Sequence, residues 1–135
     1  MQGRWMANQY NGTDGNDILN AAELKLPDFT NIYAGAGDDE IIIGVALALG
    51  QRGNDTITGY SAYSIATYWD SPSQIFVNLK QQTASDGFGT TDKLVNIHQV
   101  HGSSYSDTMI GSETNDLFFT GCPAPLLCTS DLAVF

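Results

Sequence analysis

The sequence predicts an all-β chain wound as a solenoid of short stacked strands, and three observations carry that prediction. A nine-residue unit recurs along the 135 residues, and its three best copies share Gly fourth, Asn or Asp fifth, Asp sixth and an aliphatic residue eighth. Fourteen glycines with only 15% charged residues favour turn-rich β structure over a helical bundle. The fifteen acids divide into twelve Asp and three Glu, and the shorter carboxylate is the one that suits turns or hard cations. With 42% hydrophobic residues the chain can furnish the core of one domain over 1–135.

Taken in order, Gly12-Thr13-Asp14-Gly15-Asn16-Asp17-Ile18-Leu19-Asn20 is the first copy and Ala34-Gly35-Ala36-Gly37-Asp38-Asp39-Glu40-Ile41-Ile42 the second. Between them Ala21-Ala22-Glu23-Leu24 reads as a short turn of helix or a bulged loop, and Lys25-Leu26-Pro27-Asp28 completes an insertion. The third copy, Gly50-Gln51-Arg52-Gly53-Asn54-Asp55-Thr56-Ile57-Thr58, closes an N-terminal block over 10–59. A longer-coil segment over 60–101 contains the strand-like Ile75-Phe76-Val77-Asn78-Leu79 and a looser copy, Gly87-Phe88-Gly89-Thr90-Thr91-Asp92-Lys93-Leu94-Val95. Two partial copies then run together over 102–121, the first from Gly102 to Ile110 and the second from Gly111 to Phe119; they keep the first Gly, sixth Asp and eighth apolar residue. From Cys122 the pattern stops, Pro123 and Pro125 oppose strand pairing, and the tail 122–135 is expected to cap the last coil.

Each position has a physical reason. Glycine at the fourth position lets the backbone turn tightly, and Asn or Asp beside it tolerates the same geometry. The apolar eighth residue opens a strand, so Leu19, Ile41, Ile57, Leu94, Met109 and Phe118 are expected to share one narrow core between coils stacked about 4.8 Å apart. At two units per coil the chain would hold about seven coils of roughly eighteen residues.

The pattern resembles the nonapeptide G-G-x-G-x-D-x-U-x of the RTX, or hemolysin-type, calcium-binding repeat family. That resemblance implies a right-handed parallel β-roll, a β-helix-like solenoid, with Ca2+ as cofactor between successive turns. It marks Asp17, Asp39 and Asp55 as the best side-chain ligands, Asp107 and Asp116 next and Asp92 weakest, with backbone carbonyls near Gly12, Gly35, Gly37, Gly50 and Gly53 completing the shells. Asp39 with Asp55 is the firmest expected pair, since the 22-residue step from Asp17 to Asp39 is long enough to break the stack. Electrostatics points the same way. Stacked carboxylates repel unless a cation lies between them, and calcium accepts six to eight oxygens at about 2.3–2.6 Å in flexible geometry. Neither Asp14 nor Asp38 opens an EF-hand loop with Glu at its twelfth position. The resemblance also implies an extracellular or cell-surface protein exported by type I secretion. Asp131-Leu132-Ala133-Val134-Phe135 resembles the acid-then-apolar ending of some such substrates, and the first ten residues carry no apolar leader segment.

Other functional classes fare worse. A formal charge of −10 repels nucleic acid, and the longest apolar run, residues 41–49, is broken by Gly44 and too short to span a bilayer. Ser61, Ser64 and Ser71 lack a G-x-S-x-G elbow, and Asp38-Asp39 belongs to a repeated turn, so the chain is not expected to be an enzyme. His98 and His101 would face opposite sides of a strand, which argues against zinc. Cys122 and Cys128 suit a small disulfide loop and equally suit two free thiols. An alternative is an adhesin or polysaccharide-binding module in which Tyr60, Tyr63, Tyr68 and Trp69 stack on sugar rings, against core packing of the same residues. Exposed roll ends also offer edges for self-association.

Overall fold

The computed structural model describes residues 8–113, 116–119 and 132–134. Over these residues the chain winds through six coils, each passing from one sheet to a second. β1 (Gln9–Asn11) and β2 (Ile18–Asn20) form the first coil, β3 (Thr30–Tyr33) and β4 (Glu40–Ile43) the second, and β5 (Ala46–Leu49) and β6 (Thr56–Gly59) the third. The fourth runs from β7 (Ser64–Thr67) into three strands, β8 (Phe76–Asn78), β9 (Thr83–Ser85) and β10 (Thr91–Val95). β11 (Gln99–His101) and β12 (Thr108–Ile110) form the fifth, and β13 (Leu117–Phe119) with β14 (Leu132–Val134) the sixth.

The first sheet has the order β1-β3-β5-β7-β11-β13, and the second β14-β12-β8-β9-β10-β6-β4-β2. All pairings are parallel except those of β9, which runs antiparallel to both β8 and β10. There is no helix among the described residues; Ala21–Lys25 makes only tight turns, closed by the Leu24 N–H on the Asn20 carbonyl at 2.9 Å. The described residues make six coils, against about seven expected for the whole chain, since residues 21–29 and the two hairpins around β9 use chain without adding a coil.

Register explains the eighth-position apolar residue. Leu19, Ile41, Ile57 and Leu94 stand in one row across β2, β4, β6 and β10, each no more than 5% exposed. The facing row of the first sheet is Tyr10, Ile32, Ala48, Ala66, Val100 and Phe118. Alanines in its middle let the two sheets approach, and the core is one continuous cluster that includes Met109 and Val77. Each buried Ile or Leu contributes about 1.5–3 kcal/mol.

The connections fall on two flanks. Those leading from the first sheet into the second occupy 12–17, 34–39, 50–55 and 102–107, equal in length, with 68–75 in the fourth coil. They carry the repeated aspartates and form the aspartate flank. The return connections are 21–29, 44–45, 60–63, 96–98 and 111–116, which share no common length.

Candidate metal centre

Parallel pairing puts Ile18, Glu40, Thr56 and Lys93 side by side, so the preceding Asp17, Asp39, Asp55 and Asp92 form one column on the aspartate flank. Each carboxylate reaches back to the coil before it. Asp39 Oδ1 accepts the backbone N–H of Asp17 at 2.8 Å, Asp55 Oδ1 that of Asp39 at 2.9 Å, and Asp92 Oδ1 that of Asp55 at 3.0 Å. The fifth position makes a second ladder in the opposite sense. Asn16 Oδ1 accepts the Asp38 N–H at 2.7 Å, Asp38 Oδ1 the Asn54 N–H at 2.8 Å, and Asn54 Oδ1 the Thr91 N–H at 3.0 Å. An Asx-Asp pair therefore ties each coil both forward and backward, satisfying turn amides that no strand pairs.

The second carboxylate oxygen separates the turns into two kinds. Asp17 Oδ2 accepts the Thr13 N–H at 2.7 Å while the Thr13 hydroxyl donates to Oδ1 at 2.8 Å. Ser103 treats Asp107 likewise, its N–H on Oδ2 at 2.8 Å and its hydroxyl on Oδ1 at 2.5 Å, and Ser112 N–H and Oγ do the same for Asp116. Asp92 Oδ2 accepts the Tyr68 hydroxyl at 2.9 Å. Asp39 Oδ2 and Asp55 Oδ2, by contrast, are buried with no hydrogen-bond partner, in residues only 3% and 1% exposed.

The cause lies at the second position of the turn. Thr13, Ser103 and Ser112 each offer an N–H and a hydroxyl, but the matching residues in the other two turns, Gly35 and Gln51, have φ of 91° and 65°. Gly35 N–H donates to Gln51 Oε1 at 3.0 Å, and Gln51 Nε2 donates on to Asp70 Oδ2 at 2.7 Å, away from the column. A left-handed glutamine costs roughly 1–2 kcal/mol. Gly53, with φ of 109°, is required by packing as well: a Cβ there would collide with the Gly37 carbonyl. The first-position glycine makes room for the carboxylate, since a Cβ on Gly12 would stand 2.8 Å from Asp17 Oδ2 and one on Gly50 would overlap Asp55 Oδ2.

The charges in this column are poorly compensated. Burial raises Asp39 to about 6, and the nearby Asp17 and Asp38 charges add to the effect while the hydrogen bond from the Asp17 amide opposes it. Burial likewise pushes up the Asp55 and Asp92 pair, each helped by a neighbouring carboxylate, Asp92 by Asp86 and Asp55 by Asp92. Among the described residues the ion pairs are Lys80 with Glu113 at 4.0 Å and His98 Nδ1 with Asp116 at 3.0 Å, so no basic side chain meets the column. Arg52 lies instead over the Phe88 ring, 5.3 Å from its centroid. Among those same residues, no three His, Cys, Asp or Glu side chains form a metal cluster. A cation here would draw on the two unpartnered carboxylate oxygens, turn carbonyls and water, an all-oxygen set that fits calcium and not a thiophilic metal.

Several expectations need correction. The 22-residue step does not break the column, because residues 21–29 fold away on the return flank and β2 pairs with β4 in register. Asp92, expected as the weakest ligand, stands in the column with its second oxygen already taken by Tyr68. Asp107 lies on the same flank but beyond β8 and β9, beside Ile75, whose N–H it accepts at 3.0 Å. Asp116 precedes a strand of the other sheet and sits on the return flank against His98, so the nine-residue step from Asp107 crosses the roll.

The aromatic group does not hold together either. Tyr68 is 2% exposed, its hydroxyl bound to Asp92, so it offers no face to a sugar; Tyr60 and Tyr63 lie on the return flank, away from Trp69. Asp86 escaped the sequence reading. It is fully buried in the turn before β10, accepting the Phe88 and Thr90 N–H groups at 2.9 and 3.1 Å, and its place just before Gly87-Phe88-Gly89 was the available signal. Cys122, Cys128 and Asp131 lie outside the described residues.

A family model described as the RTX calcium-binding nonapeptide repeat matches in four copies, over residues 2–23, 47–62 and 99–121. These segments contain the turns at 12–17, 50–55, 102–107 and 111–116. No curated protein and no solved structure matches the chain.

Proposed function

We propose that this chain of RTX calcium-binding nonapeptide repeats is a secreted, non-catalytic roll stabilised by Ca2+ held between successive turns of its aspartate flank. One observation carries the reading: Asp39 Oδ2 and Asp55 Oδ2, on adjacent coils, are buried without a partner and without a counter-charge. Both carboxylates, with carbonyls of the turns 34–39 and 50–55, would hold the ion. Bound calcium would supply the positive charge that burial makes these groups lack. Because the unfolded chain has no such site, binding favours the folded roll.

At affinities of about 10⁻⁴–10⁻³ M, millimolar calcium would contribute roughly 0.4–1.4 kcal/mol per site, and cytosolic calcium almost nothing. That difference supports a roll that tightens after export. Calorimetric titration of Ca2+ into the wild type and into the Asp39→Asn/Asp55→Asn variant tests the site. Heat in the first and none in the second is expected, and equal binding by both would overturn the assignment.

A second reading, a glycan-binding face, has one feature in its favour. The half-exposed Trp69 ring lies 6.0 Å from His101, which meets Phe119 edge-on at 4.8 Å, giving a short aromatic row along the roll axis. Glycan-array binding lost in Trp69→Ala would support it.

A further inference from the structure

We infer that the cation requirement is confined to the middle of the aspartate flank, and that Thr13, Ser103 and Tyr68 act as built-in substitutes for the ion at the other turns. The inference rests on the calcium reading above and sharpens it, because the repeat pattern alone treats every sixth-position aspartate as an equivalent ligand. The second carboxylate oxygen does not.

At Asp17 and Asp107 that oxygen accepts the N–H of the second turn residue at 2.7 and 2.8 Å, and the hydroxyl of the same residue donates to the carboxylate as well. At Asp92 it accepts a phenolic O–H at 2.9 Å. Two or more donors on a carboxylate stabilise its charged form without a metal. At Asp39 and Asp55 the second residue is Gly35 or Gln51 in the left-handed region, and nothing donates to Oδ2. The substitution of Gly or Gln by Thr or Ser at one turn position therefore converts a turn that needs a cation into one that closes itself. Self-closing turns sit in the first and fifth coils, with Ser112 and Asp116 repeating the device on the return flank. In the metal-free chain the carboxylates at 12–17, 68–92 and 102–107 are thus closed by donors, and those at 34–39 and 50–55 each keep one buried oxygen without a donor.

Hydrogen exchange by mass spectrometry, in chelator and then in millimolar Ca2+, reads this directly. In chelator, peptides covering 12–17 and 102–107 should exchange about tenfold or more slowly than those covering 34–39 and 50–55, because the uncompensated carboxylates at the middle turns favour local opening there. Calcium should slow only the middle pair. If all four turns exchange alike in chelator and slow together with calcium, the inference is overturned while the calcium reading stands. If the end turns are protected and calcium changes nothing, the calcium reading fails and the self-closing turns remain.

A calorimetric arm guards against misfolded variants. Asp17→Asn/Asp107→Asn, shown folded by circular dichroism in calcium, should keep the wild-type stoichiometry. A loss of half the bound ions or more would count the end aspartates as ligands and overturn the inference.

Discussion

Replacing Asp39 by Asn removes one charge and little else, since the amide oxygen can still accept the Asp17 N–H that Oδ1 accepts now at 2.8 Å. In metal-free protein the folded-state carboxyl titrates near 6, against 3.8 for the ordinary group, because burial disfavours its charge. A raised folded-state value means that the native chain binds this proton more tightly than the unfolded chain. The stabilisation is therefore present below about pH 4 and is lost as pH rises to about 6. Two pH units at about 1.36 kcal/mol each give a loss of about 3 kcal/mol.

The asparagine variant lacks that titration. Its own cost, that of exchanging a buried carboxylate for an amide, does not depend on pH. Urea denaturation of both proteins in chelator, at pH 4 and pH 7, should therefore show the stability difference shifting by about 2 kcal/mol in favour of the variant at the higher pH. A difference that stays flat between the two would refute the claim that Asp39 carries an uncompensated buried charge.

Calcium at ten times its dissociation constant should stabilise the wild type by about 1.4 kcal/mol in the same assay and leave Asp39→Asn/Asp55→Asn unmoved. Tyr68→Phe takes the phenolic donor from Asp92 Oδ2 and should cost about 1–3 kcal/mol in chelator by urea melting, and less in millimolar calcium, which would take the place of the lost hydroxyl. Gly53→Ala drives a methyl into the Gly37 carbonyl and strains a φ of 109°; a thermal melt should show at least about 2 kcal/mol of destabilisation that calcium does not rescue. Ile57→Ala, at the centre of the buried row, should cost about 2–5 kcal/mol.

The turn aspartates and the core row were legible in the sequence because both depend on local chemistry. Glycine, Asx and Asp fix the turn, and the eighth residue must then face inward, as Leu19, Ile41, Ile57, Leu94 and Met109 do. What could not be read was which turns become neighbours. Asp55 and Asp92 are 37 residues apart yet share a hydrogen bond, because the hairpins around β9 return the chain to the same sheet. Asp107 and Asp116 are nine apart yet face opposite flanks. Tyr68 could be read with Tyr60, Tyr63 and Trp69 either as a sugar-stacking face or as core packing, and its burial against a partner in another turn decides for packing. The orphaned oxygens at Asp39 and Asp55 trace to Gly35 and Gln51, a one-residue difference from Thr13 whose meaning appears only with the backbone angle.

The unequal flanks also divide the roll into an edge that fixes spacing and an edge that tolerates cargo. The connections 12–17, 34–39, 50–55 and 102–107 cross the aspartate flank at one length, whereas the return side already accommodates connections as different as 21–29 and 44–45. Foreign peptides spliced into 21–29 and 60–63 would emerge two coils apart, about 10 Å at the spacing of stacked strands. The molecule would then serve as a ruler for presenting epitopes in pairs.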